Sequence, residues 1–180
     1  MIVAQARARS AFRRALDALY DATAGLGALA MVLLLVMVVL SIVSRQIGFN
    51  IPGTDAYAGY MMAAAGFLAL AHTLKKGEHI RVTLLLSSLH GRTRRGFELW
   101  ALFAASILAL LLAGYSCRLA WQSYTFHDIS TGNDATPLWL PQLTMALGTV
   151  VLAIAFIDEF VLELRGERVV AQSDESMRNE

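Results

Sequence analysis

Residues 55–89 read DAYAGYMMAAAGFLALAHTLKKGEHIRVTLLLSSL, and three signals follow one another in them. From Ala56 to Leu74 the chain carries no formal charge and one weak base, His72, over about twenty residues, the length that crosses a bilayer's hydrocarbon as a helix. Lys75 and Lys76 then stop the run. Cations suit a helix C-terminus, where the macrodipole is negative and carbonyls lack partners, and Gly77 tolerates the left-handed turn beyond it. Past that stop, Val82, Leu85, Leu86 and Leu89 follow the i, i+3, i+4, i+7 template, while His79, Thr83, Ser87 and His90 recur on the other side. Residues 79–90 are thus expected to form an amphipathic helix, too short to span, lying in the interface with its leucines toward lipid.

The rest of the chain agrees with that beginning. Hydrophobic residues make up 57% of it, charged residues 16%, and the mean hydropathy is +0.55, which together describe an integral membrane protein rather than a soluble domain. A chain of 180 residues has room for a few spans in one domain, expected over 1–170 with a polar tail at 171–180, and too little for the repeats of a complete secondary transporter. The net charge of +1 averages two unlike faces and gives no reason to expect nucleic acid. Cys117 is the single cysteine, so no intramolecular disulfide forms, and its apolar surroundings predict a buried free thiol.

Working outward toward the N-terminus, Arg7, Arg9, Arg13 and Arg14 stand in an alanine-rich context, and Leu16, Leu19 and Tyr20 carry a helical pattern into an uncharged stretch at 22–43. At 1.5 Å per residue that stretch is roughly 33 Å long, a first span. It is too long for a signal-peptide core, and SIVSRQ offers no small-x-small cleavage site. In SRQIGFNIPGTD, Pro52 and Gly53 break the chain, and Thr54 or Asp55 is placed to cap the second span at 56–74. That span has small residues four apart (Gly59/Ala63, Met62/Gly66, Ala65/Ala69), which let helices approach closely in lipid, so Gly59, Ala63 and Gly66 mark the seat of a helix partner.

Working toward the C-terminus, GRTRRG precedes a third span at 97–120, with Glu98 at its start and Arg118 near its end among Tyr115, Trp121 and Tyr124. Those aromatics are the belt expected at headgroup level, where Arg118 can snorkel to phosphate. The loop QSYTFHDISTGNDATP carries Asp128 and Asp134, and Trp139 and Pro141 open a fourth span at 138–157. Thirteen of the fifteen lysines and arginines fall at the N-terminus, between the second and third spans, or at the C-terminus, leaving Arg45 and Arg118 on the other side. The positive-inside rule then puts both termini and the amphipathic helix in the cytoplasm. The expected fold is an all-α membrane protein of four transmembrane helices, with an interfacial helix between the second and third on the cytoplasmic side.

Chemistry is sparse. Ionisable groups inside spans are the default functional candidates in membrane proteins, and His72 is the one that lies more than about a turn from an expected end. No HExxH, GxSxG, phosphate-cradling glycine loop or acidic metal cluster is present, so neither catalytic, cofactor nor metal residues are expected. Asp55 is either a helix N-cap or a carboxylate for a partner at the outer surface. Glu98 pairs locally with Arg94 or Arg95, or reaches a cation on a partner. Arg118 snorkels or joins an intersubunit pair, and Asp158 and Glu159 are expected to be interfacial and solvated. The outer loop from Asp128 through Asp134 to Trp139, with Asp55, is the expected docking place of a soluble partner.

The segment TDAYAGYMMAAAGFLALAHTLKKGEHIRV, together with PLWLPQLTMALG at the fourth span, resembles the small membrane subunit (DctQ type) of tripartite ATP-independent periplasmic transporters. The likeness runs from about residue 11 to 164, and its most specific piece is the end of the second span leading through HIRV into the leucine-rich surface helix. Asp55 sits where many members place an acidic residue. The resemblance implies a scaffold subunit in the bacterial inner membrane, paired with a large multi-span subunit that holds the sodium and substrate sites and served by a periplasmic solute-binding protein. The implied cargo is an organic acid, C4-dicarboxylate-like or another carboxylate. The alternative is a membrane anchor of a respiratory or other enzyme complex, for which a haem site would want paired histidines facing each other across spans. A further rival, a small exporter acting as a dimer, would need polar groups along a central path.

Overall fold

The computed structural model describes residues 11–49, 51–76, 92–132 and 134–166. The expected interfacial helix, with Val82, Leu85, Leu86 and Leu89, lies outside the described residues. Within them the chain forms four helices, α1 (Ala11–Gln46), α2 (Thr54–Lys76), α3 (Arg92–Thr125) and α4 (Trp139–Arg165). Three of these, α1, α3 and α4, are long and apolar enough to cross a membrane. At 23 residues α2 reaches roughly 35 Å, which is long enough, but its alanines, glycines, tyrosines and threonines make it less apolar.

That difference matches its position. α2 packs against α1 on one side and α4 on the other, α3 packs against α4, and α1 touches α4 only slightly. The helices thus stand side by side in the order α1, α2, α4, α3, as an open row rather than a closed bundle. A helix flanked on two sides needs less lipid-compatible surface than one at an edge, and α2 is flanked by α1 and α4. The inner pair runs parallel, since Gly148 meets Phe67 near the middle while Asp158 meets Lys75 at one end. α1 and α3 run antiparallel to them. One end of the row, the terminal end, carries residues 11, 76, 92 and 166. The other, the hairpin end, carries the α1–α2 and α3–α4 connections.

The seams between helices are lined by small side chains. Ala30 packs with Ala64, Ala65 and Leu68 between α1 and α2, and Ala109 and Ala113 pack with Ala153 between α3 and α4. A Cβ added at Gly148 would come within 2.4 Å of the Phe67 carbonyl oxygen, so α2 and α4 approach backbone to backbone there, and neighbouring Thr149 is fully buried. Without a hydrophobic force between helices in lipid, such close approach is the main source of contact energy. A wider apolar cluster closes the terminal end, where Tyr20, Ala71, Leu74, Val151, Leu152 and Ala155 meet. α4 ends at Gly166 in the left-handed conformation (φ 68°), and Arg95 of α3 donates to the carbonyl of Leu164 at 3.3 Å.

Cys117 is exposed, which corrects the expectation of a buried thiol. An apolar run in an edge helix is mostly turned outward, because α3 has one neighbour. Edge position also explains the outward apolar side chains of α1, such as Met31 and Leu35, both at least 60% exposed.

Candidate functional site

The side chains with chemistry gather at the two ends of the row. At the hairpin end, the α3–α4 loop folds back as a narrow hairpin in which the Ser130 N–H donates to the Thr136 carbonyl (2.8 Å) and the Leu138 N–H to the Asp128 carbonyl (3.0 Å). Asp134 fastens this hairpin to α2. Its Oδ1 accepts from Ser130 Oγ at 2.7 Å and its Oδ2 from the Tyr60 hydroxyl at 3.0 Å, while the Thr136 and Tyr57 hydroxyls lie within hydrogen-bond distance, 3.0 Å apart. Hydrogen bonds from Ser130 first, then Thr136 and Tyr60, favour the ionised form and hold the Asp134 carboxyl down at about 2. Gly53 makes the closeness possible. With φ +84° it turns the chain just before α2, and a Cβ on it would lie 2.8 Å from that of Asp134.

Asp55 belongs to the same end but to another bond set. α2 already begins at Thr54, so Asp55 lies inside the first turn rather than ahead of it, which corrects its reading as a helix cap. Its carboxylate crosses to α1, accepting from Ser41 Oγ at 2.8 Å and from Arg45 Nη2 at 2.7 Å. Its negative charge also suits the positive end of the α2 dipole. Beside it opens a cavity of about 480 Å³ bounded by Arg45, Pro52, Gly53, Asp55 and Gly132. Trp139 meets Tyr124 edge to face with ring centroids 5.7 Å apart, joining the outer parts of α3 and α4. Arg118 is exposed on α3, and no carboxylate among the described residues pairs with it.

At the terminal end, sequence reasoning missed the main feature. Lys75 reaches from α2 to both Asp158 and Glu159 of α4, lying 3.1 Å from Glu159 Oε1 and over the Tyr20 ring at 5.3 Å from its centroid. Arg13 of α1 holds the other oxygen of Asp158 at 3.3 Å. Asp158 and Glu159 are therefore not solvated as expected; Glu159 is buried, as is Glu163 one turn on. The signal that marks them is their register: α4 continues two turns past Asp158, so these acids sit within a helix and face neighbours instead of ending a span. His72 lies 3.3 Å from Asp21 of α1 and makes one more cross-helix contact at this end. Glu98 pairs with Arg94 at 3.1 Å, the local contact expected of it.

The small-residue face of α2 divides in two. Ala65 and Ala69 pack on Gly27 of α1, whereas Gly59 and Gly66 face open space and flank an exposed Met62, with Ala63 half-buried beside them. Within the chain the structure brings together Asp134 with Tyr60, and Asp55 with Arg45, but leaves Arg118, Gly59 and Gly66 facing outward. Among the described residues no group of histidines, cysteines and carboxylates is arranged to hold a metal.

A family model described as "Tripartite ATP-independent periplasmic transporters, DctQ component" matches residues 34–166. That stretch contains Asp55, Lys75, Gly148, Asp158 and Glu159, whereas Arg13 and Tyr20 precede it. No curated protein matches the chain by sequence.

Proposed function

The chain belongs to the DctQ component family of tripartite ATP-independent periplasmic transporters, and from that membership we propose that it is the static scaffold of a sodium-coupled importer of organic acids. The family is a transporter component rather than an enzyme family, and membership implies a large membrane subunit and a solute-binding protein as partners. In the proposed arrangement all four helices cross the inner membrane, with both termini and the terminal end of the row in the cytoplasm, as the distribution of lysine and arginine favours. The cargo is a carboxylate, C4-dicarboxylate-like or another, bound on the other chains.

One observation carries the scaffold reading. The intramembrane and near-membrane carboxylates Asp55, Glu98, Asp158 and Glu159 are engaged by cations of this same chain, and those of Asp55, Asp158 and Glu159 tie one helix to another. Groups used to join helices are not arranged as a relay for moving ions. The exposed strip of Gly59, Met62 and Gly66 is the proposed contact for the large subunit, and the hairpin end around Asp128 is the proposed contact for the solute-binding protein.

Reconstitution tests this. Vesicles holding this chain, its large subunit and the binding protein should take up an organic acid along a sodium gradient, and leaving out this chain should abolish uptake. Uptake by this chain alone would defeat the subunit reading, and uptake indifferent to sodium would defeat the coupling. Gly66→Leu, placed in open space, should cut co-purification with the large subunit without lowering the chain's own melting temperature. His72→Ala should leave uptake near wild type; complete loss would favour the exporter reading.

A further inference from the structure

Small residues close the α3–α4 seam at its centre, but one flank of it is open. There a trough of about 340 Å³ runs between Leu110, Gly114 and Cys117 of α3 and Val150 and Ile157 of α4, with Ala153 at its floor. Its walls are almost wholly apolar. Leu110, Gly114 and Cys117 stand at i, i+4 and i+7 on one face of α3, and the exposed Trp121 follows at i+11 on that face, one turn beyond the trough toward the hairpin end. Eleven residues of helix rise roughly 16 Å, which is about half of a hydrocarbon core of about 30 Å. The face from Leu110 to Trp121 is thus about one leaflet deep, with the trough as its inner part.

Its upper end carries a charge and a belt. Arg118 stands next to Cys117 and one turn below Trp121, exposed and without a carboxylate partner among the described residues. Trp121, Tyr124 and Trp139 form a chain of ring contacts there, the arrangement of side chains that settle at headgroup level. We propose that this trough is a phospholipid site of the leaflet at the hairpin end, with one acyl chain along the α3–α4 seam and the lipid phosphate on the Arg118 guanidinium. The cation complements a phosphate, and guanidinium is suited to phosphate oxygens. The cation and the ring belt beside the trough's hairpin-side end match a lipid headgroup at the interface better than the apolar ridge of a partner helix.

The single cysteine lines the trough and serves as its reporter. Full-length chain in detergent is titrated with phosphatidylglycerol, and alkylation of Cys117 by N-ethylmaleimide is followed by intact mass, alongside native mass spectra that count retained lipid. The expected result is one retained lipid per chain and alkylation slowed several-fold. Arg118→Gln should need roughly tenfold more lipid for the same protection, the loss of one charge-assisted contact, and Arg118→Lys should recover most of it. Gly114→Leu, whose side chain enters open space, should abolish protection while the chain keeps its helix content. Equal protection of the Arg118→Gln chain, or alkylation unaffected by lipid, overturns the proposal. Protection of Cys117 by the large subunit in lipid-free complex, with none from phosphatidylglycerol, would assign the trough to a protein instead.

Discussion

Asp134 shows how much a single loop residue can fix. Because its carboxyl is held near 2 in the folded chain, below the ordinary 3.8, it contributes stability that is fully present above about pH 4 and is lost as pH falls toward 2. A carbon-13 titration of the Asp134 carboxyl should therefore give a midpoint near 2; a midpoint near 4 would mean that the Ser130 and Tyr60 hydrogen bonds do not form. Asp134→Asn should also speed amide exchange at Ser130 and Leu138, which the hairpin protects. Gly148 is the second residue of this kind. Gly148→Ala forces a methyl against the Phe67 backbone, which cannot swing aside, and should cost about 1–3 kcal/mol or more, read as a lower midpoint in detergent unfolding. Gly59→Ala, a change of the same size in open space, should stay within about 0.5 kcal/mol of wild type. Neither role is written in the sequence near the residue itself. Asp134 reads in the sequence as one acid of a loop offered to a partner because Tyr60 lies 74 positions away, and a glycine in an apolar run does not say which backbone it must admit.

At the scale of the element, the four helices were legible, and α2 ends at Lys75 and Lys76 as its sequence indicates, while α1, α3 and α4 run past their expected spans. Uncharged stretches, Pro52, Gly53 and the aromatic belt located all four, because the periodicity of hydropathy follows from the bilayer's thickness. The expected spans of those three stop near charges that the helices run through. Arg13, Asp158, Glu159 and Glu163 all stand inside helices, and Arg13, Asp158 and Glu159 are neutralised there by partners on other helices. That pairing depends on α2 and α4 being parallel neighbours, which their sequence separation conceals. Lys75 keeps Glu159 when Asp158 is neutralised, so Asp158→Asn should destabilise the chain by less than an unpaired buried charge does, about 1–3 kcal/mol. Lys75→Met leaves Asp158 and Glu159 both short of that cation and should cost more, roughly 3–5 kcal/mol, and adding Asp158→Asn, which removes one of the two carboxylates, should recover part of that loss. A double variant no better than the worse single one would show that the two side chains do not act on each other.

At the scale of the molecule, the open order α1, α2, α4, α3 decides which surfaces remain. The edge helices are apolar on their outer sides, which no other described helix covers, and the same reasoning places Cys117 outward. A sequence records that a helix is apolar without recording whether lipid, a neighbour or another protein meets it, so the row could not be told from a bundle in advance. The small residues of α2 illustrate the same ambiguity, since Ala65 and Ala69 face α1 while Gly59 and Gly66 face away. A layer one helix thick also has almost no interior of its own. Left without its companions in a cell, such a chain keeps its seams open to the proteases that patrol the membrane, so pulse-chase labelling should find the orphan degraded several times faster than the assembled form. Its abundance would then be set by how much large subunit the cell makes, and any excess would be cleared without a dedicated regulator.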